Sequence, residues 1–111
     1  MDITATQRGK VTVVTLAGLI DSSNADQLSQ ALNGQVQRGH TRLVADVAGV
    51  EYISSAGLRA LVQALKDTTR RGGDLRLARV GPRLQKALEI SGLVSLLKAF
   101  PDVDSAVASF D

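Results

Sequence analysis

The sequence predicts an α/β domain over residues 1–111, with a mixed, mostly parallel sheet of about five strands, about four helices and the order β-β-α-β-α-β-α-β-α. Three observations carry this. Short runs rich in β-branched residues alternate with stretches whose apolar residues recur at helical spacing. The run "RLVADVAGV" at 42–50 is apolar at nearly every position, as a strand buried on both faces of a parallel sheet must be. Glycines at 39, 72–73 and 92 punctuate the ends of the helical stretches.

The elements follow in order. "ITAT" (3–6) and "VTVVTLAG" (11–18) read as an N-terminal hairpin turning near Arg8-Gly9. Ser22, Ser23 and Asn24 are competent N-caps for a helix over 23–38, whose face is Ala25, Leu28, Leu32 and Val36. The buried strand at 42–50 comes next, with Asp46 as its one charge near the far end. Leu58, Leu61, Val62 and Leu65 then make the stripe of a helix running to about Arg70. Arg70 and Arg71 suit the negative end of its dipole. "DLRLARV" (74–80) alternates like a strand. Pro82 opens a helix striped by Leu84, Ala87 and Leu88 and closed by Gly92. The apolar "LVSLLKAF" (93–100) reads as a last strand, and 101–110 as a terminal helix with Val103, Ala106, Val107 and Phe110 on its face.

Composition narrows the function. Cysteine is absent, which removes disulfides, thiolate catalysis and cysteine metal sites together. His40 is the only histidine, so no multi-histidine metal centre exists and neither metal nor cofactor is expected. His40 precedes its strand while the serine pair follows that strand's far end, which separates them and argues against a hydrolase. The chain is therefore read as not an enzyme. The net charge of +2 comes from scattered side chains, and aromatics for base stacking are scarce, so nucleic acid is not an expected partner. With no apolar run long enough to span a bilayer and no basic-then-apolar start, the chain is read as cytoplasmic and free of membrane.

The usable chemistry lies in "ISSAGLRA" (53–60). Ser54 and Ser55 stand between the buried strand and an amphipathic helix. Such a joint exposes unpaired N–H groups and the positive end of the helix dipole, a resting place for a negative group. Either serine also makes a good N-cap, so capping alone accounts for one of them. Gly57 lacks a Cβ and admits a close approach, and Leu58 serves either as core or as an apolar knob beside the serines. Asp21 reads as a turn residue ahead of the first helix, suited to capping it.

"DVAGVEYISSAGLRALVQAL" (46–65) resembles the signature of the STAS domain, in particular the bacterial anti-sigma-factor antagonists. The likeness extends to "GLIDSSNA" (18–25) and "VGPRLQKALEISGL" (80–93), and the element order agrees over nearly the whole chain. The resemblance implies a STAS-type domain in which Ser55 is the phosphoacceptor, with Ser54 as the alternative. It also implies a partner-binding face of Asp21, Ser22, Ser54, Ala56, Gly57, Leu58 and Arg59. Ser54 stands where many antagonists have aspartate and Arg59 where several have glycine; Ala56 leaves no third hydroxyl.

The mechanism implied is partner switching. The unmodified protein, a monomer when free, binds a serine kinase that is also an anti-sigma factor, of the ATP-binding histidine-kinase-like fold. Binding releases that kinase's client, phosphorylation at Ser55 ends the binding, and a serine phosphatase of the 2C type resets the cycle. A nucleotide- or anion-binding STAS module and a scaffold subunit of a stress-sensing assembly are the alternatives.

Overall fold

The computed structural model describes residues 1–111. One five-stranded sheet has the order β1-β2-β3-β4-β5, each strand beside its sequence neighbour. Strands β1 (Asp2–Arg8) and β2 (Val11–Ile20) form the antiparallel hairpin, turning at Gly9 with φ +63°. Strands β3 (Arg42–Ile53), β4 (Asp74–Ala78) and β5 (Ala99–Phe100) continue it in parallel. The connections carry helices α1 (Ala25–Gln37), α2 (Ser55–Arg70) and α3 (Pro82–Ile90), and α4 (Val103–Ala108) ends the fold.

Strand alternation divides the apolar residues between two layers. Val14, Leu16, Leu43, Ala45, Leu75 and Leu77 face α1, α2 and α3 in the main core. Val11, Val13, Val44 and Ala78 face α4 through Ala106, with Phe100 and Phe110 at the margin. Leu28, Leu32 and Val36 bury one stripe of α1. On α2 the buried stripe is Gly57, Leu58, Ala60, Leu61, Ala64 and Thr68. It lies to one side of the expected line, because α2 packs on α1 as well as on the sheet and small residues let the two helices approach. Val62 and Leu65 are consequently only half-buried. The Thr68 hydroxyl, fully buried, donates to Ala64 O at 2.9 Å and so stays satisfied.

The expected strand over 93–100 is mostly something else. Gly92, at φ +75°, closes α3, and Leu93–Ser95 form a 3-10 turn. Leu93 and Leu97 turn inward four residues apart, with Leu97 N–H bonded to Leu93 O at 3.1 Å, while Val94 and Leu96 stay about half exposed. An apolar run without alternation fits either form, the inward packing of Leu93 and Leu97 selects the helical turn, and only Ala99 and Phe100 pair with β4.

β3 is longer than expected and β4 shorter. Between the pairs Thr15↔Asp46 and Ala17↔Gly49, and again between Gly18↔Val50 and Leu19↔Tyr52, β3 carries one more residue than β2. These bulges bend the end of β3 and bring Gly49 against Ala17, where an added Cβ would lie 2.9 Å from the alanine methyl. β4 stops at Ala78 because Arg79 adopts φ +59°. That conformation lets the Arg79 guanidinium clasp Asp46, with Nε–H and Nη2–H donating to the two carboxylate oxygens at 3.0 and 2.6 Å. Asp46, only 4% exposed, is thus a satisfied carboxylate, though it stands where the β4 pairing ends rather than at the end of β3. Arg79→Gly is expected to be more stable than Arg79→Ala by about 1 kcal/mol in urea unfolding, since both lose the clasp but only alanine keeps the left-handed strain. Equal stabilities would show that the backbone there is unstrained.

Candidate functional site

β2 and β3 deliver their carboxyl ends to one corner of the sheet, and the corner is tied together by backbone. Ser54 N–H donates to Ile20 O at 2.8 Å, so the turn after β3 rests on the last residue of β2. In parallel sheets this is the end at which functional loops collect.

The two serines divide the work between them. Ser54 is the N-cap, with extended backbone (φ −84°, ψ 171°) and its hydroxyl oxygen accepting from Gly57 N–H at 3.2 Å. Ser55 is the first helical residue, exposed and free of cap duty, at the positive mouth of a sixteen-residue helix. Ala56 is half-buried beside it.

Gly57 and Leu58, both expected on the partner-binding face, turn toward the core. A Cβ at Gly57 would meet Ile53 Cγ1 at 2.7 Å and Ile20 Cγ2 at 2.8 Å. The space that the glycine leaves is filled by the two isoleucines that end β2 and β3, not left open for a partner. Leu58 is 8% exposed and belongs to the main core. It keeps its place beside Leu61 on the stripe that the helical spacing predicts.

Asp21 organises the facing turn. Its carboxylate accepts from the Ser23 hydroxyl and from Ser23 N–H, the latter at 2.9 Å. These bonds, the hydroxyl first, hold its pKa below the usual 3.8. The stabilisation they give is complete above that ordinary value and is lost as pH falls through the lowered one. Asn24 occupies the cap position of α1, yet its side chain serves the loop: Oδ1 accepts from Asp21 N–H at 2.9 Å and Nδ2 donates to Leu19 O at 2.8 Å. Ser22 is exposed beside them.

Two features of the corner were not singled out from the sequence. A groove of about 430 Å³ runs from Ser55 along α2, walled by Leu58, Arg59, Val62, Lys66 and Leu93. Its signal was present in the spacing, because Ser55, Arg59, Val62 and Lys66 stand at i, i+4, i+7 and i+11 of one helix. On the other face of the sheet, Leu19 and Tyr52 are register partners and both are about half exposed. Beyond Asp46, β3 outruns β4, so this pair lies past the cover of α4.

His40 is remote from the corner. It lies ahead of β3, at the opposite end from Ser55, with its Nδ1 2.7 Å from Gln35 Oε1. No group of three His, Cys, Asp or Glu residues is arranged to hold a metal ion. No helix is long and apolar enough to cross a membrane.

Comparison with known proteins agrees with this geometry. The family model described as the STAS domain matches residues 2–106. The chain is 34% identical over 110 residues to BtrV of Bordetella bronchiseptica, by name a candidate anti-sigma factor antagonist, covering 99% of this chain and 95% of that one. Among solved structures, an anti-sigma factor antagonist from Mycobacterium paratuberculosis superposes with a TM-score of 0.88 at 26% identity, covering 97% of this chain and 92% of the other. SpoIIAA shares the fold at 15% identity in two states. Its unphosphorylated form gives a TM-score of 0.84 over 98% of this chain and 96% of its own. Its phosphorylated form, from Bacillus, gives 0.76 over 99% and 100%.

Proposed function

The chain belongs to the STAS domain family, and on that premise we propose that it is an anti-sigma-factor antagonist working by partner switching. The names of the relatives support the coarse role. The switch itself is supported by one observation above the others: Ser55 offers an exposed hydroxyl at the mouth of α2, while Ser54 is engaged as the cap.

In this reading the unmodified corner docks a serine kinase of the histidine-kinase-like fold and frees that kinase's client. The docking face comprises Asp21, Ser22, Ser54, Ala56 and Arg59 around Ser55. Leu19, Tyr52 and Val62 supply the apolar contact that Leu58 is too buried to give. The kinase transfers the γ-phosphoryl group of ATP to Ser55 Oγ, releasing ADP and a proton. The dianion so formed sits inside the contact and ends it. A serine phosphatase of the 2C type hydrolyses the ester and restores the hydroxyl.

Incubation with a candidate kinase and ATP, followed by peptide mass spectrometry, tests this. One phosphate on Ser55 is expected, and none on Ser55→Ala. A phosphate carried instead by Ser54, or none at all across the kinases of that fold from the same cell, would overturn the assignment.

A further inference from the structure

We propose that Arg59 is a phosphate clamp: once Ser55 is phosphorylated, the Arg59 guanidinium closes on the phosphate across one turn of α2 and withdraws from the partner. The proposal deepens the reading of Ser55 as phosphoacceptor and rests on it.

Ser55 and Arg59 stand four residues apart, both exposed and both on the groove along α2. Four residues is about 6 Å of helix axis, and side chains so spaced lie one above the other. No carboxylate lines the groove. The ion pairs of the chain join Arg8 to Asp104, Arg70 to Asp67, Arg76 and Lys98 to Asp74, and Arg79 to Asp46, which leaves Arg59 without an acidic partner. A guanidinium can give two parallel N–H bonds to two phosphate oxygens, a geometry that an ammonium lacks. The third oxygen is left to the N–H groups at the helix mouth. Lys66 lines the same groove but stands eleven residues from Ser55, about 16 Å along the axis and beyond direct reach or the screening length at physiological salt.

The clamp makes the switch act twice. Before modification Arg59 presents a free positive charge on the docking face. After modification that charge is neutralised within the chain, so the partner loses a cation as it meets an anion. The protein then holds its phosphate through side chains already in place, with no change of backbone.

The test needs no kinase. Phosphoserine is installed at position 55 during translation, and the phosphate is titrated by phosphorus NMR in the parent, Arg59→Ala and Lys66→Ala chains. The second phosphate pKa, ordinarily about 6, is expected to be lower in the parent than in Arg59→Ala by roughly 0.5, with Lys66→Ala within about 0.1 of the parent. The gap between the parent and Arg59→Ala should shrink in 1 M salt, at a screening length of about 3 Å. Matching values for parent and Arg59→Ala, or equal displacement by both substitutions, would overturn the clamp. Failure of every kinase to modify Ser55 would instead sink the functional reading, so the two failures are distinguishable.

Discussion

Ser55→Asp is expected to bind the partner kinase at least about 100-fold more weakly than the parent chain, while Ser55→Ala binds it as the parent does and is not released by ATP. The magnitude follows from placing a charge in a contact that excludes water. Ser55 is exposed in the free chain, so a carboxylate there is solvated before docking and must lose that solvation on docking. A net loss of about 3 kcal/mol is enough for the stated factor. The fold should not resist the substitution, because an acidic side chain at the first helical position is favourable to the dipole. Calorimetry with the purified kinase measures the affinities, and amide spectra should show changes confined to the turns after β2 and β3. Parent-like affinity for Ser55→Asp and for the phosphorylated chain alike would remove the switch. Shifts spread through the sheet would replace the local mechanism with a conformational one.

Gly73→Ala should cost about 3 kcal/mol or more of folding stability, against about 1 kcal/mol for Gly72→Ala next to it. The difference is one of surroundings. Gly72 is at φ +84° with open space where a Cβ would stand, so only the left-handed backbone is taxed by a methyl group. At Gly73 a Cβ would lie 1.9 Å from Thr41 O and 2.6 Å from Thr41 C, atoms of the backbone itself. Thr41 O also accepts from Asp74 N–H at 3.0 Å, the bond that leads into the β3–β4 ladder at Arg42↔Asp74. A methyl group there must push β4 away from β3 at the start of the ladder. Urea unfolding of both variants decides the matter; a Gly73→Ala chain within 1 kcal/mol of the parent would mean that the two segments separate easily.

The helices and central strands were legible because their signals are local. Leu28, Leu32 and Val36 recur at helical spacing whatever surrounds them, and Pro82 and Gly92 mark the ends of α3 in the chain itself. The stretch from 93 to 100 misled because an apolar run without alternation suits a strand or a helical turn equally, and packing of Leu93 and Leu97 made the choice. The same limit applied to α2. Leu61 is in the core as expected, but Val62 and Leu65 were displaced toward the surface once α1 took up part of the helix's apolar face.

At the candidate site, the sequence alone determined the chemistry on offer: two hydroxyls, a glycine and a cation at the junction of a buried strand with an amphipathic helix, in a chain without cysteine and with one distant histidine. Residue order carries that information because capping, helix polarity and side-chain type act over a few neighbours. Only the tertiary structure decided which hydroxyl is free, that Gly57 makes room for Ile20 and Ile53, that Leu58 is core, and that Leu19 and Tyr52 form the exposed apolar pair. Each of those outcomes depends on groups brought together from β2, β3 and α1, and contacts between distant segments are set by packing volume and register rather than by any local rule.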